Sequence, residues 1–167
     1  MTEITLEQLL ASRDERASYQ RELMGGWGLP LVSFTVNMPG PEKLSERSRY
    51  IFRRGSDAIR EALAGNIAYL KERMLPTGPE GFYLVSLEPL QLKELMCGIE
   101  DGSELGRLFD IDVIDKTGPI SRESVGRKMR KCLVCGRPGA ACARSRRHEL
   151  SELMAAIDGI ISRSKGA

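Results

Sequence analysis

The sequence contains few aromatic residues, a single histidine and little net charge. Phe, Trp and Tyr together make up 5% of the 167 residues, and 25 Lys and Arg stand against 23 Asp and Glu, which gives a formal net charge of +2. Surfaces that bind single-stranded nucleic acids combine strong positive charge with aromatic rings on which bases stack. The composition therefore disfavours a nucleic-acid-binding protein.

Long apolar runs and an N-terminal targeting pattern are also missing. No apolar run approaches the roughly 20 residues that a membrane-spanning helix needs. The segment MTEITLEQLL has no basic stretch followed by an apolar one, which disfavours a secretory signal. We therefore expect a cytoplasmic protein without a membrane partner. In that compartment, the four cysteines are expected as thiols or metal ligands rather than as disulfides.

The hydrophobic pattern predicts helices and strands in one unit of ordinary domain size. The predicted helices cover residues 4–24, 41–64, 90–97 and 144–163, and the predicted strands cover 29–37, 66–75, 81–88 and 105–114, with a loop at 77–81. We therefore expect a single domain over residues 1–167, of the α+β class, with helices packed on a mixed β-sheet. Within it, residues 130–165 form a cysteine-containing segment and an amphipathic helix.

Two aspartates stand two residues apart in an apolar stretch, LGRLFDIDVI (105–114). Alternate residues of a strand project from the same face, so Asp110 and Asp112 would present neighbouring carboxylates. Their mutual repulsion would be relieved by a divalent cation such as Mg²⁺. Gly106 would let a phosphate approach the backbone, and Arg107 could bind it. The alternative, which so short a motif leaves open, is the solvent-exposed face of an edge strand.

Arginines recur along the predicted helices and near the aspartates. A substrate with several phosphates needs such a set, because a guanidinium group binds phosphate through two parallel hydrogen bonds. The alternative is a solvated helix face on which the arginines pair with nearby acidic residues. The basic residues of this set are Arg13, Arg16, Lys43, Arg47, Arg49, Arg53, Arg54, Arg107, Arg122, Arg127, Lys128, Arg130 and Lys131.

Three cysteines and the only histidine of the sequence lie close together near the C-terminus, as Cys132, Cys135, Cys142 and His148. A leading Cys-x2-Cys pair and a nitrogen ligand suit a closed, structural zinc site. The Cys-x6-Cys and Cys-x5-His intervals are wider than common zinc-finger spacings. The alternative is a group of thiols packed under the last helix, with a surface histidine. Cys97, on an apolar helix face, is expected in the core.

Seven short motifs, in order along the chain, resemble the apo-citrate lyase phosphoribosyl-dephospho-CoA transferase family, also called holo-citrate lyase synthase. They are LLASRDER (9–16), PLVSFTVNMPGP (30–41), IFRRG (51–55), GPEG (78–81), LGRLFDIDV (105–113), RKCLVC (130–135) and CARSRRH (142–148). The resemblance extends from residue 9 to the last helix.

The resemblance implies an enzyme with a nucleotidyltransferase-like fold. Members of the family take 2'-(5''-triphosphoribosyl)-3'-dephospho-CoA and transfer its phosphoribosyl-dephospho-CoA part to a serine of the citrate lyase acyl-carrier subunit, releasing pyrophosphate. The partners implied are thus this carrier subunit and triphosphoribosyl-dephospho-CoA.

The resemblance also implies roles for individual residues. Asp110 and Asp112 would be catalytic and would hold Mg²⁺, and Glu80, in the predicted loop, would be a helper carboxylate. The residues that would bind phosphates or order nearby loops are Arg13, Arg16, Arg53, Arg54, Gly106 and Arg107. Two features depart from the nucleotidyltransferase pattern. Gly102-Ser103 precedes the first aspartate by fewer than the usual ten or so residues, and a third carboxylate is not obvious.

A second class of function stays open from the sequence. In it, Cys132, Cys135, Cys142 and His148 hold a zinc-stabilised surface for protein interaction, without catalysis. The two hypotheses differ in their dependence on Asp110, which the enzyme needs and the interaction module does not.

Overall fold

The computed structural model describes residues 3–167, and Met1 and Thr2, at the start of the N-terminal segment considered above, lie outside the described residues. Within this range the chain forms five α-helices and one five-stranded sheet. The helices are α1 (Leu6–Trp27), α2 (Glu46–Ala62), α3 (Pro89–Asp101), α4 (Gly139–Ser145) and α5 (Leu150–Lys165). The strands are β1 (Leu31–Val36), β2 (Ile67–Leu75), β3 (Gly78–Val85), β4 (Phe109–Asp115) and β5 (Gly118–Pro119). No helix between residues 3 and 167 combines the length and the apolar character needed to cross a membrane.

The sheet is antiparallel throughout, with the strand order β2-β3-β1-β4-β5. The expected α+β class is confirmed, but the sheet is not mixed. Two of the four pairings, β2 with β3 and β4 with β5, join strands separated by only two residues, and a two-residue connection permits only antiparallel pairing. The other two pairings bring β1 between β3 and β4, antiparallel to both.

Different helices cover the two faces of the sheet. Helices α2, α3 and α5 pack on one face and form the larger core, which includes Phe34, Phe52 and Ile111. On the other face, Leu23 of α1 packs against Leu31 of β1 and further apolar residues of β3. Helix α1 lies over β1 and β3. On the same face of β4, Ile114 packs against this smaller core, whereas Asp110 and Asp112 remain exposed.

Helix α1 begins as the sequence predicts but ends later. Thr5 and Gln8 form the expected capping box, each side chain bonding the backbone N–H of the other residue. The helix continues through Gly25 and Gly26 and stops at Gly28, whose φ of 64° lies in the left-handed region. The C-terminal cap therefore falls on the glycine that adopts a positive φ.

Other predicted boundaries are also wrong. The predicted strand 105–114 begins only at Phe109, because Leu105–Leu108 form a 3₁₀ helix. Helix α2 does not begin at the proline turn 39–41 but after Ser45, which forms a capping box with Ser48. Most of the predicted loop 77–81 is strand, because β3 begins at Gly78 and pairs with β2 from that residue onward. Helix α3 does not end at Cys97 but continues to Asp101.

The predicted last helix, 144–163, is in fact divided. Arg146 has a positive φ of 47° and ends α4. Helix α5 then starts afresh with a capping box between Glu149 and Glu152. The division allows the chain to turn around the cysteine segment before the amphipathic helix begins.

Substitution of Gly55 tests the packing of α2 on the sheet. An added Cβ would lie 2.8 Å from Phe34 Cε1 and 3.1 Å from Phe109 Cε1, two rings that pack edge to face. Although alanine ordinarily favours a helix interior, Gly55→Ala should lower the free energy of unfolding by about 1–3 kcal/mol through overpacking. Urea denaturation measures the change.

The matched control is Gly26→Ala in α1, where an added Cβ would have no described neighbour within 4 Å. This variant should be as stable as the wild type or slightly more stable. Equal effects of the two substitutions would contradict the close contact between α2 and the aromatic core.

Candidate active site

Asp110 and Asp112 share the face of the sheet that α1 only partly covers. In the β1–β4 register, Thr35 lies opposite Asp110 and Ser33 lies opposite Asp112. Thr35 Oγ1 donates a hydrogen bond to Asp110 Oδ2 at 3.2 Å. The alternation of buried and exposed residues along β4 leaves both aspartates exposed. The arrangement thus places two neighbouring carboxylates, one of them oriented by a hydroxyl, on an open surface.

The electrostatics of this pair favour a bound cation. The pKa of Asp112 is raised, because surrounding protein atoms displace solvent from it and because the Asp110 carboxylate repels its charge. No Lys or Arg of residues 3–167 lies within ion-pair distance of either carboxylate. Exposed carboxylate oxygens are hard donors of the kind that Mg²⁺ prefers. The donor set therefore fits a divalent metal ion.

Glu80 lies on the same face but in a different electrostatic setting. Thr35 of β1 stands opposite both Glu80 of β3 and Asp110 of β4, so the three residues form one row across the sheet. Glu80 is only 2% exposed. Its carboxylate accepts hydrogen bonds from Arg16 at 3.2 Å and from Arg73 at 2.6 Å. Glu80 is therefore a strand residue that holds Arg16 beside the aspartates, rather than a carboxylate on a loop.

The structure separates the sequence-predicted helix arginines into two groups. Arg13 and Arg16 lie on α1, the helix that covers the carboxylate face. Arg53 and Arg54 lie on the exposed surface of α2, which packs on the opposite face of the sheet, and Arg53 borders a groove between α2 and α5. The last two are therefore not brought together with the aspartates.

Gly106 and Arg107 both serve contacts within the protein. An added Cβ at Gly106 would lie 2.5 Å from the carbonyl oxygens of Ile99 and Glu100, so the close packing of this turn against α3 requires a glycine. Arg107 Nη2 donates a hydrogen bond to the carbonyl oxygen of Cys132 at 3.0 Å. This contact connects the start of β4 with the cysteine segment.

Buried charges of α3, which the sequence reasoning missed, bind the outer edge of β4. Glu100 Oε1 accepts a hydrogen bond from the Ile111 amide at 3.0 Å, and Lys93 Nζ donates one to the Ile111 carbonyl at 3.3 Å. Burial raises the pKa of Glu100, while Arg130 and Arg122 oppose that effect. The sequence carried one signal of this role: Lys93 and Glu100 are seven residues apart and so share one helix face.

The four candidate metal ligands near the C-terminus come together. The ligand atoms of Cys132, Cys135, Cys142 and His148 all lie within 4.8 Å of one another. The Cys132 amide donates to the Arg137 carbonyl at 2.6 Å and closes the hairpin that carries the first two cysteines. Cys135 and Cys142 are free thiols with their sulfur atoms 3.5 Å apart.

Two further properties of this cluster suit a metal ion. His148 Nε2 is buried and has no hydrogen-bond partner among residues 3–167. The pKa of Cys135 is lowered to about 6, first by a hydrogen bond from the Arg137 backbone and then by contacts with His148 and the other two thiols. A metal ion would bind the unpartnered nitrogen and the thiolate together. Cys97, by contrast, is buried in the core, as predicted.

Comparison with known proteins relates this site to a family. The family model for apo-citrate lyase phosphoribosyl-dephospho-CoA transferase matches residues 4–164. The chain belongs to this family. The matched residues include both the strand that carries Asp110 and Asp112 and the cluster of three cysteines and His148.

Individual relatives agree with the family match. A Vibrio cholerae serotype O1 (strain M66-2) protein, named a probable apo-citrate lyase phosphoribosyl-dephospho-CoA transferase, is 40% identical over 163 residues, which cover 93% of this chain and 90% of the relative. The apo-citrate lyase phosphoribosyl-dephospho-CoA transferase of Escherichia coli O7:K1 (strain IAI39 / ExPEC) is 36% identical over 163 residues, which cover 95% of this chain and 89% of the relative. The family resemblance stated from the motifs is confirmed.

Substitution of Arg73 tests the buried ion pair beneath α1. Arg73→Met leaves the buried Glu80 carboxylate with Arg16 alone, so the free energy of unfolding should fall by about 3 kcal/mol. Adding Glu80→Gln removes the uncompensated charge and should recover a large part of that loss. Urea denaturation of the single and double variants measures both effects.

Arg53→Met on the exposed face of α2 is the matched control, with an expected change within about 0.5 kcal/mol. If Arg73→Met were equally destabilising with and without Glu80→Gln, its effect would not come from the ion pair.

Proposed function

We propose that the protein transfers the phosphoribosyl-dephospho-CoA group of 2'-(5''-triphosphoribosyl)-3'-dephospho-CoA to a serine of the citrate lyase acyl-carrier subunit. The serine oxygen attacks the innermost phosphorus of the triphosphate, the bond to the outer two phosphates breaks, and pyrophosphate and the serine proton leave. Family membership supports this assignment. The structural observation that carries it is the exposed pair of carboxylates, Asp110 and Asp112, which form no ion pair with a Lys or Arg of residues 3–167.

In this proposal, Asp110 and Asp112 hold Mg²⁺. When bound, the ion supplies charge neutralisation of the triphosphate and of the leaving pyrophosphate. Thr35 keeps the Asp110 carboxylate in position through its hydrogen bond. The reaction type is that of a nucleotidyltransferase, and a nucleotidyltransferase-like fold remains a prediction from the resemblance.

The arginines of α1 provide the positive charge beside this site. Arg16 is held over the face by Glu80, and Arg13 lies one helical turn earlier. Guanidinium groups in these positions would bind phosphate oxygens and orient the chain of three phosphates for in-line attack. Only interactions that strengthen as charge develops raise the rate of the chemical step.

We further propose that Zn²⁺ occupies the cluster of Cys132, Cys135, Cys142 and His148. Three sulfur donors and one imidazole nitrogen form a closed tetrahedral set, which is typical of structural zinc. The buried and unpartnered Nε2 atom of His148 supports this assignment. The ion would fix the cysteine hairpin to α4 and to the start of α5.

An interaction module without catalysis is not favoured. It would use the cysteine cluster but would leave the aspartate pair without a role, whereas the family match spans both. A cytoplasmic location and the lack of a nucleic-acid partner remain predictions from composition.

Replacement of Asp110 tests the proposed catalytic role. Asp110→Asn and Asp112→Asn should each lower the rate of transfer by about 100-fold or more, because the charge that holds the metal is lost. The measurement is the intact mass of apo citrate lyase carrier subunit incubated with the protein, the triphosphoribosyl nucleotide and Mg²⁺. EDTA should abolish the mass increase.

Asp115→Asn is the matched control. Asp115 lies in the same strand but accepts hydrogen bonds from Thr117 in the β4–β5 turn, contacts that an asparagine oxygen can also make. Transfer by this variant should match the wild type. Retention of most activity by Asp110→Asn, or an equal loss in Asp115→Asn, would contradict the assigned role.

Metal analysis tests the zinc assignment. The purified protein should contain one zinc ion per chain by inductively coupled plasma mass spectrometry, and Cys142→Ser or His148→Gln should lose it and unfold at a lower temperature. Cys97→Ser, which alters a thiol outside the cluster, should retain the zinc. Zinc content independent of Cys142 and His148 would exclude the proposed ligand set.

A further inference from the structure

A cleft of about 1,860 Å³ opens beyond the end of β1, where Asn37 forms part of its wall. Its walls come from the loop after β1, the turn before β4, the segment from residue 122 to 143 and the first turn of α5. Pockets for drug-sized ligands measure about 300–1,000 Å³. The cleft is therefore large enough for a long ligand, and the roles assigned above leave most of its walls unexplained.

Asn37 relates the cleft to the aspartate site, although the two carboxylates are not among the residues that line the cleft. The Asn37 amide donates to the Leu108 carbonyl at 3.0 Å, which extends the β1–β4 pairing one residue beyond Val36. By strand alternation, Asn37 lies on the same face as Thr35, and it lines the cleft. Two residues of an antiparallel strand span about 6.8 Å. A ligand whose triphosphate lies at the aspartates therefore has to extend only a short distance along β1 to enter the cleft.

The cleft contains positive charge that has no acidic partner. Glu100 and Asp101 form ion pairs with three of its arginines. Within residues 3–167, four other lining cations form no ion pair: Arg107, Lys128, Lys131 and Arg146. Clustered cations at the walls of a concave surface concentrate anions there.

Exposed apolar side chains line the same cleft. Met129 is 60% exposed, Leu150 is 45% exposed and Val134 is 38% exposed. The hydrophobic pattern of the last helix predicts Leu150 in the core, but in the structure it lies in the first turn of α5, with its side chain against Gly40. Apolar surface next to unpaired cations suits a ligand that joins phosphates to an uncharged ring or chain.

We propose that this cleft binds the dephospho-CoA portion of the nucleotide substrate. Its diphosphate would be attracted by the unpaired cations, and its adenine or pantetheine part would contact Met129, Val134 and Leu150. The inference rests on the proposed function, which identifies the nucleotide as the substrate. It adds the place where the dephospho-CoA portion, remote from the reacting phosphate, binds. An acidic carrier protein would also be attracted, but a concave cleft whose wall begins at Asn37, two residues from the Thr35 that bonds Asp110, fits a covalently continuous nucleotide better.

The test is the equilibrium binding of dephospho-CoA, measured by isothermal titration calorimetry on the full chain. Met129→Glu places a negative charge in the cleft at an exposed position and should raise the Kd of dephospho-CoA about tenfold. Met129→Lys should bind more tightly than Met129→Glu, since the two differ in charge at one site. Met74→Glu is the matched control, because Met74 is 47% exposed on β2, at the opposite edge of the sheet. The Kd of dephospho-CoA for this variant should equal that for the wild type.

A transfer assay on the same variants separates the two proposals. Met129→Glu should raise the KM for the nucleotide and leave the KM for the carrier subunit unchanged. An unchanged Kd in Met129→Glu, or an increase in the carrier KM alone, would overturn the cleft assignment while wild-type transfer still supports the function. Binding of dephospho-CoA that depends on Met129, in a wild-type protein that transfers nothing to authentic carrier, would leave the cleft as a nucleotide site and overturn the function.

Discussion

The hydrogen bonds that close the outer edge of β4 are the constraint on which the site depends. Strand β5 pairs with only the last two residues of β4, so the amide and carbonyl of Ile111 have no strand partner on that side. Glu100 and Lys93 bind them instead. A buried backbone group left unpaired costs about 1–3 kcal/mol. These two side chains therefore hold the strand that presents Asp110 and Asp112, and they protect its edge from pairing with another chain.

The same buried charge connects the aspartate strand with the cysteine segment. Glu100 also binds Arg122 at 2.5 Å, and Arg130 donates to the Phe109 carbonyl at 2.6 Å, at the start of β4. Both arginines belong to the segment that leads to the cysteine hairpin. A metal ion in the cluster would therefore stabilise one end of a structure whose other end is the strand that carries Asp110 and Asp112. The cleft is lined by residues from the cysteine cluster and from the turn before β4. The positions of its walls therefore depend on both regions.

Local patterns in the sequence predict the parts of the site that depend on neighbouring residues. The alternation of side chains along a strand predicts that Asp110 and Asp112 share one face. The closeness of Cys132, Cys135, Cys142 and His148 in the sequence predicts that the four can meet. The position of Glu80 could not be predicted in this way, because its Gly-Pro surroundings indicate a loop and only the pairing of β3 with two other strands makes it a buried strand residue. The position of Arg53 likewise depends on which face of the sheet α2 covers. The helical periodicity of the sequence shows which side of α2 is apolar but not which face of the sheet it meets.

The row of Glu80, Thr35 and Asp110 across the sheet shows how the structure distinguishes two kinds of carboxylate. Glu80 is buried and neutralised by two guanidinium groups, so it is not available as a third metal ligand. Asp110 and Asp112 are exposed and carry no such neutralisation. Magnesium commonly uses one or two protein carboxylates and takes its remaining ligands from water and substrate phosphates. In the proposed function, a site with two carboxylates would leave more of these positions to the triphosphate. The arginines of α1 would then supply positive charge where a third carboxylate would have added repulsion.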